Sequence, residues 1–203
     1  MQVVLNDIET ESPIVIQPQR RLSDREFIDF CEANPDLKVE RTAEGDLVIM
    51  PPAGWETSNR NTDLIHQLQA WAKRDGRGKV FDSNTIFILP SGAARSPDAA
   101  WMSRSRLATL TKEQKKRFGP LCPDFVVELR SPSDRLPQLQ TKMREWIDNG
   151  AQLAWLIDPE NRTVHVYRPG RRVERLVDAA SVTGEGPVAG FVLEMADIWN
   201  PDL

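Results

Sequence analysis

The sequence predicts a single α/β domain with a mixed central β-sheet, and three observations support this prediction. Apolar residues recur at helical spacing from Glu56 to about Arg74, which indicates one long amphipathic helix. A second amphipathic helix is predicted at 135–149, followed by a short apolar strand at 153–157. Between the helices lie three segments rich in branched and aromatic residues, at 80–89, 95–102 and 125–129. The order of helix, three strands, helix and strand is typical of an α/β core with mixed pairing.

Two shorter elements are predicted before this core. Ser23 and Glu26 form a capping box, which predicts a helix that extends to about Asn34. Two strand-like segments flank the turn residues Ala43-Glu44-Gly45, and they predict a hairpin at 37–41 and 46–50. Glycine is expected in this turn because it adopts a positive φ without steric cost.

The chain is long enough for one domain with its own core, and we expect that domain to span residues 22–203. Residues 1–21 contain two prolines and no periodic pattern, so we predict a flexible N-terminal arm. A helical insertion is expected near 111–117. Turn-forming residues after position 158 predict extra C-terminal antiparallel strands, which end in a helical turn near Trp199.

Composition argues against several classes of function. No segment is apolar for long enough to span a membrane, and the acidic N-terminus is unlike a signal peptide, so we expect a cytoplasmic protein without membrane partners. Cys31 and Cys122 lack CxxC spacing and are expected to be free buried thiols. The sequence contains only two histidines, His66 and His165, which argues against a zinc site or a Ser-His-Asp catalytic site. Any metal chemistry is therefore expected to use oxygen ligands.

Basic residues are concentrated in the middle of the chain. The formal net charge is −4, yet residues 95–144 contain 11 Lys or Arg against 5 Asp or Glu. A surplus of positive charge in one segment predicts contacts with the phosphates of a nucleic acid. A solvated helix surface explains such a run about equally well when the run is considered alone. The candidate nucleic-acid-binding residues are Arg95, Lys115, Lys116, Arg117 and Arg130.

Two carboxylates are the strongest candidates for catalytic chemistry. Glu128 interrupts an apolar strand, where a buried carboxylate needs a cation or strong donors to compensate its lost hydration. Asp98, within Ser-Pro-Asp-Ala-Ala, is predicted on a neighbouring strand. The pair would form an oxygen-only site suited to Mg²⁺ or Mn²⁺. The alternative is that Glu128 forms a salt bridge with a nearby arginine and that the Pro-Asp pair merely begins a strand.

A lysine on the second amphipathic helix is the third candidate. At 100° per residue, Lys142 falls between the apolar stripe around Leu139 and Met143 and the polar face. From that border its ammonium can extend over the edge of the sheet. The alternative is an ordinary surface lysine, whose stem lies along the helix.

These motifs resemble those of the Uma family of bacterial restriction endonucleases, in the PD-(D/E)XK nuclease superfamily. The resemblance runs from about Leu22 to the C-terminus and is most specific from Pro123 to Pro159. It implies a Mg²⁺-dependent phosphodiester hydrolase on a restriction-endonuclease-like αβββαβ core, in agreement with the predicted element order. The matching segments are Ser-Pro-Asp-Ala-Ala-Trp at 96–101, Cys-Pro-Asp-Phe-Val-Val-Glu-Leu-Arg-Ser-Pro-Ser-Asp at 122–134, Lys142, Gly150 and Trp-Leu-Ile-Asp-Pro at 155–159.

The resemblance implies roles for individual residues. Asp98 matches the motif aspartate and Glu128 the motif acid, but Arg130 stands where the motif lysine is expected. The resemblance therefore suggests that Lys142 supplies the missing lysine from the following helix. Glu56 could match a helical acid that binds metal in some superfamily members, although the histidine often found at that helix start is absent. Glu56 is equally explained as a favourable charge near a helix N-terminus.

Three functions are compatible with the sequence. The first is an endonuclease that binds Mg²⁺ or Mn²⁺ through its carboxylates, acts on nucleic acid, with DNA the expected substrate, and forms a homodimer by analogy. The second is a noncatalytic module of the same fold that binds nucleic acid or a protein partner, as loss of the in-strand lysine would favour. The third is an unrelated Mg²⁺-dependent phosphohydrolase of small molecules, which would need a closed pocket and no basic segment.

Overall fold

The computed structural model describes residues 13–203. The α-helices of this part of the chain are α1 (Asp24–Ala33), α2 (Trp55–Asp75), α3 (Arg104–Ala108), α4 (Leu136–Asp148) and α5 (Ala196–Trp199). Its strands are β1 (Ile14–Ile16), β2 (Lys38–Arg41), β3 (Leu47–Met50), β4 (Gly78–Asp82), β5 (Phe87–Ile88), β6 (Ala94–Arg95), β7 (Ala99–Ser103), β8 (Phe125–Leu129), β9 (Leu153–Asp158), β10 (Thr163–Tyr167), β11 (Glu174–Val177), β12 (Ser181–Thr183) and β13 (Val192–Glu194). Two 3₁₀ turns lie at Gln114–Lys116 and Gly186–Val188.

A six-stranded mixed sheet forms the centre of the fold, in the order β11-β10-β9-β8-β7-β4. β8 and β9 are parallel, because α4 connects them across one face of the sheet, and the other pairs are antiparallel. The predicted mixed α/β fold is confirmed, with α2, β4, β7, β8, α4 and β9 in the expected order.

Side chains of β8 alternate between the two faces of this sheet. Phe125 and Val127 belong to the apolar cluster that includes Leu68 of α2, whereas Val126 belongs to the cluster that includes Trp146 of α4. Because successive strand residues point to opposite faces, position 128 shares the α4 face with Val126. The alternation therefore directs Glu128 toward α4.

A second, five-stranded sheet has the order β1-β3-β2-β6-β5 and packs against α1. The predicted hairpin forms its centre, with β2 and β3 antiparallel and Gly45 in the turn at φ 106°. The predicted capping box at Ser23 and Glu26 begins α1. β2 also pairs with β6 through Arg41 and Ala94, which brings the end of β2 close to the start of β7.

Two predicted strands are each divided in the structure. The segment 80–89 separates into β4 and β5, because Asp82 accepts hydrogen bonds from Asn84 N and Thr85 Oγ1 and turns the chain toward the other sheet. The segment 95–102 separates into β6 and β7 at Pro97, which has no amide proton for a strand ladder. The predicted insertion near 111–117 is only a 3₁₀ turn, and α3 precedes it.

The predicted N-terminal arm lies partly outside the described residues, which begin at Pro13. Within its remaining part, Ile14–Ile16 forms β1 and pairs with β3, so this stretch belongs to the sheet. Cys122 is buried and Cys31 is half-buried, and both are free thiols. No helix within residues 13–203 is long and apolar enough to cross a membrane.

Candidate active site

Glu128 is held by two residues of α4 that lie one helical turn apart. Its side chain is 5 % exposed. The indole Nε1 of Trp146 donates a hydrogen bond to Oε1 at 2.9 Å, and Lys142 Nζ lies 2.9 Å from the same oxygen. Positions i and i+4 share one face of a helix, so α4 presents both groups to the strand together. This arrangement compensates the buried carboxylate with one cation and one neutral donor.

Lys142 is largely buried, with a side-chain exposure of 13 %. Besides Glu128, its ammonium lies 2.9 Å from Oε1 of Glu40 and donates to the carbonyl oxygen of Ser96 at 3.3 Å. All three donor hydrogens therefore have acceptors within reach. Lys142 is not the surface lysine of the alternative interpretation, and the predicted extension of its ammonium over the sheet is observed.

Glu40, on β2, is the residue of this site that the sequence analysis missed. It is buried, and it accepts hydrogen bonds from Ser96 N at 3.0 Å and from Arg95 Nη1 at 3.1 Å. Arg95 in turn binds Glu145 of α4 at 2.6 Å. A chain of alternating charges thus runs from Glu145 through Arg95 and Glu40 to Lys142. The only sequence signal for Glu40 was its place beside Arg41, two adjacent charges within a segment predicted to be a strand.

Asp98 lies immediately before β7, beside Glu128. Ala99 pairs with Val127 in antiparallel register, which places Asp98 opposite Glu128 on the neighbouring strand. Its Oδ2 accepts a hydrogen bond from Leu129 N at 2.7 Å. The two predicted carboxylates are therefore brought together, as expected.

The electrostatics of the site divide its carboxylates into two kinds. Burial raises the pKa of Asp98, and burial together with the charges of Asp98 and Glu40 raises the pKa of Glu128 to about 7, against the opposing effect of Lys142. Burial also opposes ionisation of Glu40, but Lys142 and Arg95 outweigh it and lower its pKa to about 2. The positive charges near Asp98 and Glu128 thus offset only part of the effect of burial on their pKa values, whereas those beside Glu40 outweigh it.

Burial disfavours the charged form of Lys142, but Glu128 and Glu40 outweigh this effect and raise its pKa well above the ordinary value. The ammonium is therefore retained at neutral pH. A permanently charged group can stabilise negative charge, but it cannot accept a proton.

The four site residues open into a cleft with a volume of about 720 Å³. Its walls include Lys38 of β2, Trp55 and Glu56 of α2, and the loop from Ser131 to Asp134. The cleft is open to solvent rather than closed, which disfavours the small-molecule phosphohydrolase.

Glu56 faces the same cleft but stands apart from the carboxylate pair. Its side chain is 67 % exposed and lies 3.0 Å from Arg60, one helical turn away. Within residues 13–203, no three acidic, histidine or cysteine side chains gather around a single metal-sized point. Glu56 is therefore not among the residues that would hold a metal with Asp98 and Glu128.

The candidate phosphate-binding residues are found in three different environments. Arg95 is largely buried between Glu40 and Glu145 and belongs to the charge network rather than to the surface. Arg130 turns away from Glu128 to bind Asp158 and Glu160, each at 3.0 Å. The exposed basic run lies elsewhere, with Lys115 and Arg117 lining a separate cavity; Lys115, Lys116 and Arg117 do not line the cleft of Asp98 and Glu128.

The donor set at the cleft suits a hard divalent cation. Mg²⁺ binds proteins through one or two carboxylates and completes its octahedron with water and substrate oxygens. Asp98 and Glu128 supply two adjacent carboxylates, the first half-buried and the second buried, and the charge of Asp98 contributes to the raised pKa of Glu128. A cation bound between them would relieve that repulsion, so the residues present fit this ion.

A mixed sheet with an aspartate and a glutamate on neighbouring inner strands, and a lysine that reaches them from the adjacent helix α4, is typical of a restriction-endonuclease-like fold. The chain matches the family model Uma2, described as "Putative restriction endonuclease", over residues 24–196, and it belongs to that family. No curated protein matches the chain. A crystal structure of a "putative nuclease belonging to DUF820" from Anabaena variabilis ATCC 29413 has the same fold, with a TM-score of 0.71 and 21% identity, covering 86% of this chain and 96% of that one.

Proposed function

We propose that the chain is a Mg²⁺-dependent endonuclease that hydrolyses phosphodiester bonds, with DNA as its substrate. The single observation that carries this proposal is the convergence of Asp98, Glu128 and Lys142 at the floor of one open cleft. Membership of the family supports the nuclease class. The metal, the substrate and the role of each residue are proposed from the chemistry of the site.

Asp98 and Glu128 would hold the ion through their carboxylate oxygens. When bound, Mg²⁺ supplies Lewis acidity and lowers the pKa of a coordinated water. Lys142 carries a fixed positive charge at Nζ, so it can balance the charge that develops on the phosphate, or it can orient the attacking water by exchanging its 3.3 Å hydrogen bond to Ser96 O for one to that water. The buried strand and α4 exclude bulk water from one side of the site, which strengthens each of these interactions.

Glu40 would act as a positioning residue. Its carboxylate holds the Lys142 ammonium together with that of Glu128, and Arg95 and Ser96 N hold Glu40 itself. A lysine on a helix has four rotatable bonds and loses substantial entropy when it is confined. Because Glu40 and Glu128 hold the ammonium in the folded protein, this entropy is lost during folding, before any substrate binds. The charge is then already in place for the reaction, and electrostatic catalysis requires such preorganisation.

The second candidate is a noncatalytic module that binds nucleic acid. Two observations favour it: Arg130 occupies the motif lysine position, and Lys142 with Trp146 already compensates Glu128 without a metal. This candidate predicts nucleic-acid binding that is indifferent to divalent cations and to the loss of Asp98.

One assay separates the two candidates. The purified protein is incubated with supercoiled plasmid, linear duplex, single-stranded DNA and RNA, with Mg²⁺, with Mn²⁺ or with chelator. We expect metal-dependent cleavage by the unaltered chain and none by Asp98→Ala or Glu128→Ala, while Glu113→Ala, which removes an exposed carboxylate, cleaves normally. Binding without cleavage under every condition would favour the noncatalytic module.

A further inference from the structure

We propose that Trp55 and Lys38 form a strand-binding subsite on the wall of the cleft, with the indole stacked on a nucleobase and the ammonium paired with a phosphate. The substrate would then be nucleic acid with at least one unpaired base near the scissile bond. This inference rests on the proposed function and names the form of substrate that the same site accepts.

Trp55 is exceptional among the tryptophans of the chain. It is 87 % exposed, whereas the other five of the six are buried within the two main apolar clusters. A large aromatic side chain left in water beside a cleft is a common feature of binding sites. Trp55 is the first residue of α2 and follows Pro51-Pro52-Ala53-Gly54, where two fixed φ angles limit the movement of the backbone. The indole is thus presented from a constrained position.

Lys38 differs from the other cations near the site. Among the described residues it makes no ion pair, whereas Lys142, Arg95 and Arg130 are all held by carboxylates. It lines the cleft and also an adjoining groove of about 560 Å³. Asp98 lines both as well, so a continuous path passes the carboxylate, with Lys38 beside it. Lys38 is therefore the cation available to a phosphate on that path.

The indole determines which form of nucleic acid fits. Bases within a duplex are stacked on each other and offer no free face to a side chain. An aromatic ring can stack only on a base that is single-stranded, at an end or flipped out, and such stacking tolerates every base. The pair of contacts therefore favours a single strand, or a distorted duplex, over an intact one, without selecting a sequence.

The test is equilibrium binding in chelator, where cleavage is prevented, with a single-stranded oligonucleotide that carries 2-aminopurine and with its duplex. We expect the single strand to bind more tightly than the duplex. We also expect binding to quench the fluorescence of 2-aminopurine, and this quenching should be retained in Trp55→Phe. Trp55→Ala should lose the quenching and about tenfold in affinity. Lys38→Gln should lower the slope of log affinity against log salt by about 0.7. Lys79→Gln, an exposed lysine on the edge strand β4, is the control and should leave both quantities unchanged.

The outcomes separate this inference from the function on which it rests. Equal binding of single strand and duplex, or unchanged affinity and quenching in Trp55→Ala, would overturn the subsite while metal-dependent cleavage still supported the nuclease. A chain that neither binds nor cleaves any nucleic acid would overturn both. Because Trp55 is exposed, its substitution should leave the thermal midpoint of unfolding unchanged, which confirms that the variants are folded.

Discussion

The ammonium of Lys142 lies 2.9 Å from the carboxylate of Glu128, although one residue stands on a helix and the other on a strand, fourteen positions apart. Helix α4 makes this contact possible because it crosses back over the sheet between two parallel strands. The lysine therefore reaches the carboxylate from the face of the sheet that α4 covers, rather than from a position in the same strand. Position 130, where an in-strand lysine would stand, holds an arginine that is bound to Asp158 instead.

The first prediction concerns the lysine itself. Lys142→Met keeps most of the apolar stem but removes the cation shared by the buried Glu40 and Glu128, so without metal we expect the fold to lose roughly 3 kcal/mol of stability. The folded variant should still bind Mg²⁺, while its cleavage rate falls by about two orders of magnitude or more. Single-turnover rates at saturating Mg²⁺ provide the measurement. Arg130→Met is the matched control: it removes a partner of the buried Asp158 and should destabilise the fold by roughly 3 kcal/mol while affecting the rate far less. A dispensable Lys142 with an essential Arg130 would reverse the assignment.

The second prediction tests whether Glu40 positions the lysine or binds the metal. Glu40→Gln preserves the shape of the side chain and weakens its hold on Lys142, so kcat should fall by about tenfold with little change in KM. Calorimetric affinity for Mg²⁺ should stay within about twofold of the unaltered chain, because Glu40 is already compensated by two cations. If Glu40→Gln lost Mg²⁺ binding as fully as Asp98→Ala, Glu40 would be a ligand.

The third prediction follows from the repulsion between the two proposed ligands. Asp98→Asn removes one charge beside Glu128 and retains an oxygen that can accept from Leu129 N, so without metal it should stabilise the fold by about 1 kcal/mol. Mg²⁺ should raise the thermal midpoint of the unaltered chain but not that of the variant. If the variant were less stable than the unaltered chain without metal, or if Mg²⁺ stabilised both proteins equally, Asp98 and Glu128 would not be a pair of metal ligands.

The fourth prediction concerns the exposed basic run. If it contacts phosphates, affinity for DNA falls linearly with the logarithm of salt concentration, and replacing Lys115, Lys116 and Arg117 together by Gln should reduce the slope by about two. The slope should fall by less than the loss of three phosphate contacts would give, because Arg117 lies 3.6 Å from Glu32 and its charge is partly neutralised already. An unchanged slope would assign the run to ordinary solvated surface.

Local patterns predicted those parts of the molecule that depend on one element at a time. The charge inside an apolar strand identified Glu128, and helical rotation placed Lys142 at the border from which it reaches the sheet. Glu40 could not be predicted in the same way, because it lies on a different sheet and meets Lys142 only through tertiary packing. The division of the segment 80–89 was missed for a similar reason. Both of its halves have strand-like sequences, and only tertiary packing places them in different sheets.

The most direct test of the proposed activity is the rate of plasmid cleavage as a function of Mg²⁺ concentration, measured for the unaltered chain and for Glu128→Gln. Glu128→Gln keeps an acceptor for Trp146 and a similar volume, so the fold should persist while the metal loses a charged ligand. We predict saturable, Mg²⁺-dependent cleavage by the unaltered chain and a loss of at least about a hundredfold in the variant. Equal rates for the two proteins, or cleavage that continues in excess chelator, would contradict the account.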